Sequence, residues 1–315
     1  MKFSTSLLFA SVLSAGLLVG CDGGSGTSQP AQKTAAGAAK AAPVVIYTNA
    51  DEDAQQAMKN ALDKNGLQGA YLMQSFGTSE LGGKLVAEGK NIEADVVTIS
   101  TYYLESMQKS QKLFRDLGIK LDTVGPAVSY YAPILGICGA LFVNTEVLKA
   151  DNLPKPTAIA DLAKPEYAGH ISVPDIMGSS TSWLMTQAMI SAKGEQEGSA
   201  IIRAIEKNAG AHLEKSGSGP LKKIRAGEAA VGFGLRPQAV ADKAKGLPID
   251  YVDPVEGNLT LVEAAAVVDK GDKTNPNAEK VVETIVKFGR QELLKFYPVV
   301  LYKGETVSAE NKPAN

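Results

Sequence analysis

Apolar and polar positions fall along this chain in blocks that predict strand, turn and helix in repeating order. Residues 44–47 form a short β-branched run ending in Thr48-Asn49-Ala50. Residues 51–65 then place Ala54, Ala57, Met58, Ala61 and Leu62 on one helical face, and Gly66 ends the pattern as a glycine just past a helix does. Residues 71–76 predict a second strand, and Gly77-Thr78-Ser79-Glu80 opens a helix over 81–88. Residues 94–99 predict a third strand, followed by Ser100-Thr101-Tyr102-Tyr103 and a helix over 104–109. Strands alternating with helices indicate a parallel sheet and an α/β fold, in which ligands bind at the C-terminal ends of strands. Three successive strand ends here are small and polar, around Thr48-Asn49, Ser75 to Ser79 and Thr98 to Thr101. They predict a shared rim.

The second half of the chain varies this pattern. Residues 134–144 are a long apolar run with two glycines, read as a strand that leaves one lobe and enters another, or else as one buried central strand. A short helix is expected over 157–163. Residues 171–173 are apolar and end in Pro174, and a turn containing Gly178 leads through Ser179, Ser180 and Thr181 into an apolar helix over 183–190. The first turn of a helix leaves backbone N–H groups without partners and carries partial positive charge. Hydroxyl residues and a glycine there suit a phosphate-like or carboxylate group; alternatively, Ser180 or Thr181 caps its own helix. A helix over 200–208, a short strand over 212–215, a glycine- and serine-rich turn over 216–220 and a helix over 221–225 follow. The strand 229–234 ends at Leu235-Arg236-Pro237-Gln238, before a helix over 239–245. Arg236 would suit two oxygens of a phosphonate or carboxylate, or sit in an ion pair. Residues 249–252 predict a strand, 261–268 an apolar run with Glu263 inside it, 275–288 and 291–296 two helices, and 299–302 a short terminal run.

The first residues alter the picture of where the protein works. Lys2 precedes an apolar run over 7–19 that is too short and too rich in Ser and Ala for a comfortable membrane span. It reads as an export signal. Leu18-Val19-Gly20-Cys21 resembles a bacterial lipobox, which implies cleavage before Cys21 and lipid on that cysteine; an ordinary secretory signal is the alternative. Asp22 next to the cysteine implies, in enterobacterial lipoproteins, retention at the inner membrane. With Cys21 lipidated, Cys138 is the remaining thiol, so no intrachain disulfide is expected. Residues 21–42 have almost no bulky apolar side chain and read as a flexible tether. The net charge of −2 carries no basic face for nucleic acid.

Catalytic constellations are sparse. The two histidines, His170 and His212, have no ligand spacing to each other or to a cysteine, and no G-x-S-x-G element occurs. No enzyme activity, cofactor or resident metal is expected. The order of features resembles the bacterial extracellular solute-binding proteins of ABC importers, in particular their ferric-iron and 2-aminoethylphosphonate branch. The resemblance covers about 44–302. It rests on Val44-Val45-Ile46-Tyr47-Thr48-Asn49, Gly77-Thr78-Ser79-Glu80-Leu81, Ala94-Asp95-Val96-Val97, the stretch from Asp161 to Ile171, Arg225-Ala226-Gly227-Glu228, and Pro254-Val255-Glu256-Gly257.

The resemblance implies a type II periplasmic-binding-protein fold: two α/β lobes joined by two crossing strands and closing as a hinge on ligand. Lobe one is expected at 43–137 plus 254–302, lobe two at 138–253, and a polar tail at 303–315. The family's oxyanion-binding helix start matches Gly178-Ser179-Ser180-Thr181. The iron branch carries adjacent tyrosines just after the strand that is 229–234 here. This chain has Leu235-Arg236 there, which argues against iron, and Tyr102-Tyr103 and Tyr130-Tyr131 lie elsewhere. A small anion, an organophosphonate or phosphate ester, is therefore expected, with ferric iron as the alternative. Its expected contacts are Thr48, Asn49, Thr78, Ser79, Ser100, Tyr131, Ser179, Ser180, Thr181 and Arg236, with Asp175, Glu256 or a tyrosine face opposite any amino group. The expected partners are an ABC permease and ATPase and the membrane through the lipid anchor, with the protein a monomer. A ligand-presenting sensor is the remaining alternative.

Overall fold

The computed structural model describes residues 42–314. The expected signal at 1–20, Cys21 and the tether up to residue 41 lie outside the described residues. The first half of the sheet is built as the periodicity predicts: β1 (Val44–Thr48), α1 (Glu52–Leu62), β2 (Tyr71–Ser75), α2 (Thr78–Glu88), β3 (Val96–Ser100) and α3 (Thr101–Gln111). Asp51 caps α1 by accepting from the Ala54 N–H, and the buried face of α1 is Ala54, Ala57, Met58, Ala61 and Leu62. β1 pairs in parallel with β2 and β3.

A 13-residue strand, β4 (Ala132–Asn144), follows, then α4 (Thr145–Ala150), β5 (Ile171–Pro174), α5 (Ser180–Lys193), α6 (Glu195–Ala209), β6 (Leu213–Glu214), α7 (Gly219–Arg225), β7 (Val231–Leu235), α8 (Arg236–Ala244) and β8 (Ile249–Val252). β9 (Thr260–Val267), α9 (Ala278–Thr284) and α10 (Arg290–Phe296) complete the elements. The strands run β2-β1-β3-β9-β4-β7-β5-β6, with β8 paired to β4. β4 pairs with β9 from Ala132 to Cys138 and with β7 from Gly139 to Val143, while β8 takes residues Leu141 to Asn144.

One expectation on this architecture is corrected. The sheet is mixed rather than parallel: β3–β9 and every β4 pairing are antiparallel. Residues 299–302 form no strand. The Leu301 and Tyr302 N–H groups donate to the Glu305 carboxylate instead of to a neighbouring strand, leaving an isolated bridge from Tyr302 to Thr123. The helices expected over 275–288 and 291–296 form one path, α9 running through a π-wound turn at Ile285–Gly289 into α10.

The long apolar run is glycine-bearing because its neighbours press on it. A Cβ at Gly136 would lie 2.7 Å from the Val299 side chain, and one at Gly139 would lie 2.5 Å from the Phe233 ring. On the adjacent β7, a Cβ at Gly232 would lie 2.5 Å from the Phe142 ring and 3.0 Å from the Ser172 carbonyl oxygen. Gly232→Ala is expected to cost about 1–3 kcal/mol, since a backbone atom must give way. Gly83→Ala, on an open face of α2 with nothing within 4 Å, is expected to stabilise by about 0.5–1 kcal/mol. Urea unfolding of the two variants checks the opposite signs.

Candidate functional site

Turns at the C-terminal ends of β1, β2, β5 and β6 converge on one cavity of about 740 Å³, within the range of small-molecule sites. β1 delivers Asn49 and Asp51, and β2 delivers Ser75, Phe76 and Gly77 before Thr78 opens α2. From the opposite side β5 delivers Asp175 and Gly178, and Ser179 caps α5. Residues 213–218 and Lys222 complete that side, and Leu135, Ile137, Glu263 and Tyr297 line the region of the crossing strands.

The starts of α2 and α5 touch. The Thr78 N–H donates to the Gly178 carbonyl at 3.1 Å. The approach is close: a Cβ at Gly77 would sit 3.4 Å from that oxygen, and one at Gly178 would sit 3.1 Å from the Lys215 Cα. The Ser180 N–H donates to Thr78 Oγ1 at 3.0 Å, and the Asn49 amide donates to the same oxygen at 3.0 Å. Asn49 and the Ser180 hydroxyl both donate to Glu263 Oε1, each at 2.9 Å. Asn49, Thr78, Ser180 and Glu263 thus form a ring of hydrogen bonds joining β1, α2, α5 and β9. The Asn49 Oδ1 beside it is buried without a partner.

Glu263 is 2 % exposed. Burial raises its carboxyl to about 7, the bonds from Asn49 and Ser180 oppose that rise, and the charge of Asp51 adds to it. Tyr297 donates to Asp51; burial and the Asp51 charge push its phenol well above its ordinary value. Asp51 itself is raised by burial, against the Tyr297 bond. The walls carry six carboxylates (Asp51, Glu52, Glu80, Asp175, Glu214 and Glu263) and two lysines, Lys215 and Lys222. Among the described residues no group of three or more His, Cys, Asp or Glu is placed to hold a metal ion.

The expected contacts divide. Asn49, Thr78, Ser179, Ser180 and Thr181 line the cavity, as does Asp175; Ser79 does not. The first amides of α5 are engaged, Ser180 N–H by Thr78 and Thr181 N–H by Ser179 Oγ at 3.2 Å, so the capping role is realised at Ser179. Thr48 is buried between the Thr98 hydroxyl and the Ala50 N–H. Ser100 lies in the sheet opposite Glu263. The Tyr131 hydroxyl donates to Glu105 at 2.9 Å, its ring packed in the core beside α3. Glu256 caps a turn by accepting from the Ile159 and Ala160 N–H groups.

Arg236 requires the largest correction. It is 3 % exposed and donates twice to Asp253, at 2.6 and 3.0 Å, and once to the Glu310 carbonyl at 2.8 Å, with its guanidinium over the Tyr251 ring. Burial alone would raise Asp253, but the Arg236 bonds and charge, with bonds from the Ala314 N–H and Asn258, together hold that carboxyl below its ordinary value. Sequence reasoning missed Glu263 as a wall, although an acid inside an apolar run was its signal. Tyr297 and Lys222 carried no such signal, since each belongs to an ordinary helix end.

Comparison with known proteins fits this architecture. Residues 91–297 match the family described as bacterial extracellular solute-binding protein, and the chain belongs to that family, whose members bind rather than transform their solutes. An uncharacterised protein of Haemophilus influenzae is 26 % identical over 202 residues, covering 64 % of this chain and 56 % of the relative. The Fe(3+)-binding periplasmic protein of Serratia marcescens is 27 % identical over 212 residues, covering 64 % and 59 %. The matched region thus spans less than two thirds of either relative's length. Among solved structures, the periplasmic binding protein AfuA from Actinobacillus pleuropneumoniae, with fructose-6-phosphate bound, matches with a TM-score of 0.68 at 23 % identity, covering 83 % of this chain and 84 % of that one. Iron-bound HitA from Pseudomonas aeruginosa matches at 0.65 and 19 %, covering 87 % and 90 %. These likenesses establish the type II periplasmic-binding-protein architecture.

Two stability measurements follow from the buried charges. The folded Glu263 carboxyl keeps its proton to about pH 7, against an ordinary value of 4.5. Its contribution is therefore full below pH 4.5 and declines as pH rises through 7, by about 3 kcal/mol. Glu263→Gln is expected to flatten this window and to exceed the wild type at pH 8 in urea unfolding. Arg236→Met leaves Asp253 buried without its cation and is expected to cost about 3–5 kcal/mol at pH 7, read in the same assay.

Proposed function

We propose that this protein is the substrate-binding component of an ABC importer, clasping a small polar ligand between two lobes, 43–137 plus 254–302 and 138–253. The observation that carries this reading is the cavity where the starts of α2 and α5 meet, with walls supplied from both sides of the crossing strands β4 and β9. Family membership supports the solute-binding role. The export signal and the Cys21 pattern support delivery to the outer face of a membrane on a lipid anchor, where a permease and its ATPase would receive the ligand.

Ferric iron is the ligand that kinship favours. The Serratia marcescens relative carries that name, and five wall carboxylates besides Glu263 against two lysines favour a cation. Arg236 offers no objection to it, since its charge is matched by Asp253 outside the cavity. A small anion, a phosphonate or phosphate ester, is the second reading. It draws on the two helix starts with Lys215 and Lys222, and is weakened at α5 by the engaged amides.

Thermal unfolding of the full chain, stripped of carried-over ligand, with ferric citrate, 2-aminoethylphosphonate, a sugar phosphate and inorganic phosphate separates them. A ligand at a thousand times its Kd adds about 4 kcal/mol, a shift of several degrees. A shift with ferric citrate alone supports iron. A shift with a phosphorus compound alone supports the anion. No shift with any small polar solute in a wider panel overturns the clasp.

A further inference from the structure

The ring that closes the cleft contains one titratable member, and it lies on a strand that crosses between the two sides. Glu263 is on β9, opposite Ser100 of β3 and Leu135 of β4. Its two donors come from different sides: Asn49 follows β1, and Ser180 is the first residue of α5. Separating the sides breaks the Ser180–Glu263 bond, the Ser180–Thr78 bond and the Thr78–Gly178 bond, and admits water to the carboxyl from the cavity it lines. Bringing the sides together returns that carboxyl to an enclosed site, where a charge is costly and only part of its solvation is replaced by two donors.

We propose that closure of the cleft is linked to uptake of a proton by Glu263, so that the empty protein closes more readily as pH falls. The proposal rests on the reading of the cleft as a clasp, and on no choice of ligand. Its sign follows from the surroundings. Burial is the largest influence on Glu263 and favours the neutral acid; the Asp51 charge acts in the same direction, and the Asn49 and Ser180 bonds act against it. The titratable groups facing it are Asp51, at the start of α1, and Tyr297, beyond α10, and their mutual hydrogen bond keeps the phenol protonated. β1, α2 and α5 present Asn49, Thr78 and Ser180, and β3 and β4 present Ser100 and Leu135, none of which titrates near neutrality. Across the cavity stand Glu52, Glu80, Asp175, Glu214, Lys215 and Lys222.

The chain carries its own reporter of closure. Its single tryptophan, Trp183 on α5, lies against Tyr102 of α3 with ring centroids 6.1 Å apart. The contact joins the two sides near the ring, and the rings remain 40 % and 60 % exposed, so opening would change the Trp183 environment.

The test is a pH titration of Trp183 emission in the ligand-stripped full chain from pH 5.5 to 8.5, with no solute added. A sigmoidal change centred near neutrality is expected in the wild type and its absence in Glu263→Gln. Ser180→Ala keeps the carboxylate and removes one of its donors, and is expected to move the midpoint to higher pH; this variant decides the matter should the glutamine variant fail to fold. A flat wild-type titration overturns the proposal. So does a transition that persists in Glu263→Gln, or an unmoved midpoint in Ser180→Ala. Because no ligand enters the measurement, its failure is distinguishable from failure of the ligand panel.

Discussion

One strand has to satisfy two different sets of neighbours. Along β4 the backbone groups from Ala132 to Cys138 are paired by β9, and those from Gly139 onward by β7 and β8. A buried strand cannot leave these groups unpaired, so the position of every other element follows from where the change of partner falls. It falls at Cys138–Gly139, where the absent side chain of Gly139 admits the Phe233 ring. The parallel units β1–α1–β2–α2–β3 and β5–α5–α6–β6 attach to opposite sides of that point and bring their turns together over one space.

The turns of that space are held by exchange of polar groups. Thr78 donates through its backbone and accepts through its hydroxyl, so the start of α2 is bound to both Gly178 and Ser180. The amides that make a helix start attractive to an anion are partly taken up by this arrangement. A ligand must therefore either displace these bonds or bind beside them among the carboxylates.

Much of the architecture was legible in residue order. The small polar turns after β1 and β2 and the Gly178–Thr181 stretch all reach the cavity, because hydroxyl-rich turns at strand ends are a local signal. The length of the run over 134–144 is that of a strand which changes partner along its course, from β9 to β7 and β8. Antiparallel pairing of β9 was not legible, since its partners are about 130 and 170 residues away in sequence. Arg236 misled for a related reason. A basic side chain at a strand end looks the same whether it faces a cleft or a distant acid, and Asp253 becomes its neighbour only through the β4–β8 pairing. Glu263 shows the reverse case: an acid in an apolar strand is conspicuous in sequence, but its hydrogen-bond partners come from Asn49 and Ser180, more than 80 residues away.

The last residues have a mechanical consequence. Glu305 is fastened to Arg290 and the Tyr302 hydroxyl to the Pro133 carbonyl, whereas Glu310 and Ala314 are fastened to Arg236 and Asp253. The polypeptide therefore passes between the two sides a third time, beside β4 and the segment entering β9. Two neighbouring connectors behave as a ribbon, which twists as easily as it bends. A third, attached away from their line, adds a tie that resists twisting of one side against the other.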